Sequence, residues 1–433
     1  MAETETSARR SVWSLLALNF FLADVQTGLG PFLAAYLAAS GWNPRRVGYA
    51  LTFGGLVGVA MQTPAGAIID AIHRKRMLLG ICLTALVAGA FLLLGPLHLW
   101  SVYAAQLLIG GSGAFLAPAV AAITLGIVGA KAFDRQFGKN QACNSAGNVF
   151  AALLVAAVSY KFGYHAIFWV AVILAVPAGL SVRAIDPSQI DYARARGGRE
   201  TEGKSDGGGS GKPRRAKDEK TERPEGLGAL AKDRVLLCFL GSVFLFHLAN
   251  AAMLPQLGEM LAKGNPKTAT SFMSASIIVT QMVIALSASW IGRRAAERGR
   301  KPLLLLGFGV LPIRGVLYTI AHGTAALITI QTLDGVANAI FVVVSVLVIK
   351  DRTQGTGRFN VAAGALATML GIGAASSTAL GGELIQRFGY KASFLGLAAV
   401  ALCAFALLWM SVPETRNDGT GVTANRLPQR VPT

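Results

Sequence analysis

The chain is 433 residues long, 53% hydrophobic and only 14% charged, with a mean hydropathy of +0.52. Soluble domains carry roughly 25% charged residues, so this composition argues against a soluble enzyme and for an all-α integral membrane protein. The net charge of +18 does not imply nucleic acid: basic and aromatic residues do not alternate as on a nucleic-acid surface, and Lys and Arg gather in cytoplasmic loops of membrane proteins.

A spanning helix needs about 20 mainly apolar residues. In chain order, twelve segments meet that need: 11–38, 46–69, 77–95, 99–128, 140–162 and 165–185, then 234–261, 269–291, 302–321, 324–349, 360–383 and 391–412. The first is no cleaved signal peptide, because its apolar run exceeds the ~7–15 residues of a signal core and leads straight into the second. Between the sixth and seventh lies a hydrophilic stretch, 186–232, with Gly207, Gly208, Gly209 and Ser210 followed by mixed charges. It cannot bury enough apolar surface to fold alone. The expected organisation is a six-helix bundle over 1–185, a flexible cytoplasmic linker over 186–232, a second bundle over 233–412 and a cytoplasmic tail over 413–433.

Basic residues set the orientation. With both termini inside, 32 of the 40 Lys and Arg are cytoplasmic, against seven outside: Arg45, Arg46, Lys161, Lys263, Lys267, Arg387 and Lys391. The positive-inside bias therefore predicts cytoplasmic termini.

The halves repeat. Phe20, Gln26 and Pro31 recur as Phe244, Asn250 and Pro255, each 224 positions later. Gly66, Arg74 and Lys75 recur at an offset of 226 as Gly292, Arg300 and Lys301. Gln106 and Gly110 match Gln331 and Gly335, and the run Lys161, Phe162, Gly163, Tyr164 matches Arg387, Phe388, Gly389, Tyr390. Ordered matches at a nearly constant offset indicate a duplicated unit.

Over about residues 11–412 these features resemble the major facilitator superfamily. The loop after span two carries its motif, Gly-x-x-x-Asp-(Arg/Lys)-x-Gly-(Arg/Lys)-(Arg/Lys), as Gly66, Asp70, Arg74 and Lys75, with Ala71 and His73 at two departing positions. The second copy keeps Gly299, Arg300 and Lys301, with Ala296 at the acidic position. The resemblance implies twelve spans in two six-helix repeats, both termini cytoplasmic. It further implies secondary transport by alternating access, on the drug/proton-antiporter-like side of the family. In that setting Asp70 helps latch the halves, whereas Arg74 and Lys75 serve either the latch or topology.

Ionisable residues inside a membrane are functional hypotheses by default. Asp24, Arg314 and Asp334 fall near the middle of spans one, nine and ten. Spans one, four, seven and ten line the cavity in the resembled family, which makes Asp24 the leading proton-coupling candidate; the alternative is a structural Asp bonded to Gln26 or Asn19. Arg314 and Asp334 read as a buried ion pair or as a substrate clamp. His247 is a cation or proton site, or a packed histidine. Gln106 stands where many proton-coupled exporters of the family have Arg, and span five lacks the Gly-Pro signature associated with antiporters. Asn140, Asn144 and Asn148 share one helical face and serve either a polar substrate or helix–helix bonding. Asn250 completes the candidate set. Glu259 and Glu383 lie near outer ends, where position alone lets them reach water.

No Gly-Lys-Ser/Thr phosphate loop or other enzyme signature appears. The four cysteines, Cys82, Cys143, Cys238 and Cys403, occupy four different spans and form neither a disulfide framework nor a metal motif. The expected function is proton-coupled efflux of a small organic or toxic solute, by a monomer in a bacterial inner membrane, without cofactor or resident metal. A permease for a metal ion (iron included), metalloid or metal chelate is the alternative; a non-transporting sensor or scaffold is the third reading.

Overall fold

The computed structural model describes residues 2–27, 29–192, 195, 232–264, 266–353 and 359–416. Among these residues there is helix and no strand. In a bilayer every backbone N–H and C=O must find its partner within the protein, and a helix does this inside one segment. The helices are α1 (Ala2–Thr27), α2 (Leu29–Ala39), α3 (Pro44–Ala71), α4 (Lys75–Leu94), α5 (Leu99–Phe162), α6 (His165–Ala184), α7 (Arg234–Asn250), α8 (Met253–Gly264), α9 (Pro266–Arg298), α10 (Lys301–Ile320), α11 (Thr324–Thr353) and α12 (Phe359–Ser411).

These elements do not correspond one to one with the segments expected to span. The first segment is divided between α1 and α2, and the seventh between α7 and α8. Conversely, α5 contains the fourth and fifth, meeting where Gly129 is non-helical, and α12 contains the eleventh and twelfth, meeting at Gly389. Among the described residues nine helical stretches are long and apolar enough to cross a membrane, Val361–Ser411 counted as one of them.

The repeat read from the sequence is visible in the backbone. Gly163, between α5 and α6, has φ 75° and Gly389 has φ 83°. Both matched Lys/Arg-Phe-Gly-Tyr runs therefore make the same tight reversal, in a region of backbone space that favours glycine. Local caps mark other starts: Asn43 accepts the Arg46 N–H with Pro44 next in line, and Asp233 accepts from the N–H groups of Val235 and Leu236.

The exterior is apolar, and aromatics gather at both ends. Trp13, Trp290 and Trp409 are exposed at the end carrying the 72–74 and 299–300 turns, here called the basic end; Trp100, Tyr160 and Trp169 are exposed towards the far end. Two such belts are the pattern of interfacial anchoring.

The described residues just past the sixth and twelfth segments pack on the halves they leave. Pro187–Gln189 forms a single 3-10 turn capped by Asp186, Ile190 is buried, and the Asp191 N–H donates to Gly126 O at 3.1 Å. The tether expected from 186 thus has its first residues packed on the N-terminal half, because Ile190 supplies an apolar anchor; residues 196–231 lie outside the described residues. Likewise Val412 is buried and Glu414 is bonded to the C-terminal half.

Candidate substrate cavity and gating loops

The halves meet through α3 against α12, α2 against α8, and α5 against α9. Close approach is concentrated towards the far end. A Cβ on Gly48 would lie 3.1 Å from the Thr378 carbonyl carbon, and one on Gly55 would lie 2.8 Å from the Ala375 Cβ. Small residues let these backbones touch. The Thr52 and Thr378 hydroxyls are 2.9 Å apart, and both reach the Ala375 carbonyl. Outside this seam Glu383 of α12 accepts from the Tyr49 hydroxyl at 2.7 Å and pairs with Arg45 Nε at 2.7 Å, both from the other half. Glu383 is therefore no idle carboxylate reaching water.

Below the seam two hollows of about 540 and 640 Å³ lie between the halves and share Ala251 in their walls. Their polar lining is mostly amide and hydroxyl: Asn148, Thr280, Gln281 and Asn338 in the first, Gln62, Gln106 and Thr378 in the second. Asp334 is the single ionisable residue among the described lining. Towards the basic end Met61 and Gln62 on α3 and Val361 on α12 are exposed. Among the described residues the closest approaches between α3 and α12 lie towards the far end, and Gln62, which lines the second hollow, is exposed towards the basic end.

Asp334 is fixed by a network that only the fold assembles. One Asp334 oxygen pairs with Arg314 Nη1. The other accepts from Gln331 Nε2 at 3.0 Å and from Thr280 Oγ1 at 3.4 Å. Arg314 Nη2 donates to Asn250 Oδ1 at 2.7 Å, and Gln331 in turn accepts from the Tyr318 hydroxyl at 2.6 Å. Arg314 is 1% exposed. The buried pair is thus present, and one of its members faces the cavity. The two sequence readings, structural pair and substrate clamp, describe the same residues.

The remaining candidates scatter. Gln106 is buried and donates to Ala50 O at 3.1 Å while lining the cavity. Of the amide face, Asn140 bonds Thr124 within its own half, Asn144 donates to Asn19 O at 3.3 Å, and Asn148 lines the cavity. His247 is outside both linings; it packs edge-on against Phe341 with centroids 4.6 Å apart. The side chains of Asp24, Gln26 and Asp70 lie outside the described residues. Among the described residues no three of His, Cys, Asp and Glu gather as a metal site. Thr280, Gln281 and Asn338 were missed by sequence reasoning; they are neutral and unrepeated, so nothing local distinguishes them.

At the basic end the described bonds of Lys75, Arg300 and Lys301 fall within their own halves. Arg74 is exposed, whereas Lys75 is buried and donates to Ile69 O. Arg300 pairs with Asp351 at 3.0 Å, and Lys301 Nζ donates to Trp409 O at 2.8 Å. Gly299 lets the Glu414 carboxyl approach, since a Cβ there would lie 2.6 Å from Glu414 Cδ. Glu414 accepts from the backbone N–H groups of Arg300, Lys301, Thr415 and Arg416. Burial raises its pKa, but these four donors outweigh burial and hold it below the usual carboxylate range.

The Major Facilitator Superfamily model matches residues 15–311 and, in a second overlapping match, 242–429. An uncharacterized MFS-type transporter of Mycobacterium tuberculosis is 39% identical over 401 residues, covering 92% of each chain. The chain belongs to the Major Facilitator Superfamily. The inner membrane transport protein YajR of Escherichia coli is 28% identical over 172 residues, 38% of this chain and 35% of that protein. The solved nucleoside transporter NupG has a TM-score of 0.74 at 16% identity, covering 92% of this chain and 98% of that one. A D-xylose-proton symporter has 0.67 at 13%, covering 94% and 98%. These structures share the fold. As a superfamily member the chain is a multi-pass membrane transporter and not an enzyme.

Proposed function

We propose that the chain crosses the membrane twelve times, with its basic end and both termini in the cytoplasm, and exports a small organic solute in exchange for protons by alternating access. The bias of Lys and Arg towards the basic end supports the orientation, and the bacterial relatives support a bacterial cytoplasmic membrane. Export follows the drug/proton-antiporter likeness read from the sequence.

The observation that carries the coupling is Asp334, the one ionisable group in the described cavity lining, held by a buried arginine. A proton taken by Asp334 leaves Arg314 without its counter-charge in a place where an unpaired charge is expensive. A solute group bonding to Asp334 competes for the same oxygens. Proton and solute thus exclude each other at one carboxylate, which is what exchange requires. Asp24, on α1 in the other half, stays as a second candidate carrier. The cavity presents amides, hydroxyls and one carboxylate, with no basic residue in its described lining. That surface suits neutral or cationic solutes better than anions.

The test is thermal stabilisation of the purified protein across organic cations, nucleosides, sugars, organic anions, divalent metals and arsenite. A ligand bound to the folded state raises the apparent stability. Stabilisation by a neutral or cationic organic compound, lost in Asp334→Asn, is the expected result. Stabilisation confined to metals, arsenite or anions overturns the reading.

A further inference from the structure

The outer wall of the N-terminal half carries a groove that the cavity does not use. It lies between α4 and α6, holds about 640 Å³, and runs from Arg76 and Arg183 at the basic end to Val87 and Val172. Gly80 on α4 and Gly179 on α6 hollow it: a Cβ built on either meets no atom within 4 Å. Its rims are apolar and face outward, with Met77, Val176 and Leu180 all exposed. Neither helix contributes to the described lining of the two hollows between the halves.

The groove has the depth of one leaflet. From Arg76 to Val87, and from Arg183 back to Val172, each wall runs for about 16 Å at 1.5 Å per residue. That is about half of the ~30 Å hydrocarbon core. The apolar walls therefore lie at acyl-chain depth, and two guanidinium groups stand where headgroups begin. Arg76 donates to Val182 O and Arg183 O at 3.0 and 2.7 Å, which fixes its guanidinium across the end of α6. Arg183 is exposed. No acidic residue belongs to the described lining. Asp186, the next carboxylate along the chain, is turned to the N–H and hydroxyl of Ser188. A basic mouth over an apolar groove complements a lipid with an anionic headgroup.

The matching helices of the other half show that the fold does not demand this groove. At the offset of 226, Gly80, Gly179 and Arg183 become Leu306, Phe405 and Trp409. A Cβ on Gly309 of α10 would lie 3.4 Å from the Phe405 ring, and the Trp409 ring stands beside it with centroids 6.4 Å apart. The C-terminal half thus fills with its own aromatics the space that the N-terminal half leaves open. Lys301 still holds Trp409 O as Arg76 holds Arg183 O, so the helix end is secured in both copies while filling and charge differ. We propose that the groove between α4 and α6 binds one anionic phospholipid of the leaflet at the basic end, with an acyl chain along Gly80 and Gly179 and the phosphate at Arg76 and Arg183. The site lies outside the exchange reading and does not depend on it. Arg76 directly follows Arg74 and Lys75, so the bound headgroup sits beside the gating loop.

The test is native mass spectrometry of the purified full chain, with phosphatidylglycerol and phosphatidylcholine of identical acyl chains added in equal amounts. The parent is expected to retain one phosphatidylglycerol in preference to phosphatidylcholine. Arg183→Gln should lower that preference about fivefold, the effect of removing one arginine from beside an anionic headgroup. Arg298→Gln, an equal loss of charge at the basic end of the other half, should leave it unchanged. Gly179→Leu should fill the groove and abolish the retained lipid with both arginines still in place. Gly80→Leu fills it from the opposite wall and decides the point should Gly179→Leu fail to fold. Equal retention of the two lipids by the parent overturns the proposal. So does an effect of Arg183→Gln no larger than that of Arg298→Gln, or a preference that survives in the folded glycine variants.

Discussion

The two ends of the bundle are held in opposite ways. At the far end the halves grip each other: glycine against backbone along α3 and α12, threonine against threonine, and Glu383 bridging to Tyr49 and Arg45. At the basic end the charged residues are more numerous, yet Arg76, Arg300, Lys301 and Glu414 all bond within their own half. Charge density therefore does not say which end is shut. Packing of small residues does, because contact between two backbones leaves no room for water or solute, whereas long charged side chains can be satisfied by their own helix ends.

The largest effect is expected midway between the ends. Arg314→Ala leaves Asp334 buried without its counter-charge and should cost about 3–5 kcal/mol, read as a large fall in melting temperature. Because Arg314 belongs to neither end, the distance between spin labels placed at Ser40→Cys and His322→Cys across the far end should not move; a shift there would show that the pair is part of the gate. Gly48→Val comes next. The new side chain meets the Thr378 and Gly382 backbones, an overpacking of about 1–3 kcal/mol borne only by the closed far end. It should raise the labelling of a cysteine placed at Thr52 by an impermeant thiol reagent. Unchanged labelling would mean that the seam is not the barrier.

At the basic end, Glu414→Gln removes a charged cap over the start of α10 and should cost about 1 kcal/mol. The sign with pH follows from its depressed pKa. The stabilisation is present above the ordinary carboxylate range of about 4.3 and is lost as pH falls through the lower folded value. Melting curves taken at neutral and acid pH should therefore converge for parent and variant at the acid end. The smallest effect is expected from Glu383→Gln, an exposed bridge screened by salt. The closed far end should loosen slightly at low ionic strength, and the difference should vanish at high salt. An effect as large as that of Gly48→Val would make charge, not packing, the principal closure.

Much of the fold was legible early. Among the described residues the expected apolar segments lie largely on helix, nine stretches of it long and apolar enough to cross a membrane, and the matched Gly163 and Gly389 adopt the same turn, because hydropathy and backbone reversal are properties of short stretches. The site was legible only in part. Arg314 and Asp334 stood out as charges in apolar runs and do pair. His247 stood out for the same reason but packs against Phe341, since an unusual residue type says nothing about which side of a helix faces the cavity. Glu259 and Glu383 looked alike by position. One is buried with an unpartnered oxygen and the other ties two helices together.

What the sequence by itself determined is a duplicated, membrane-embedded transporter with its basic loops on one side: apolar run length, charge bias and an internal repeat are each readable along the chain. What the tertiary structure decided is the company each polar group keeps. Thr280, Gln331 and Asn250 meet around Asp334 and Arg314 from four helices, and among the described residues the small-residue contacts between α3 and α12 gather towards the far end. Those facts depend on the rotation of each helix about its axis and on the docking of one half against the other, which are set by side-chain packing across long sequence separations and leave no local mark.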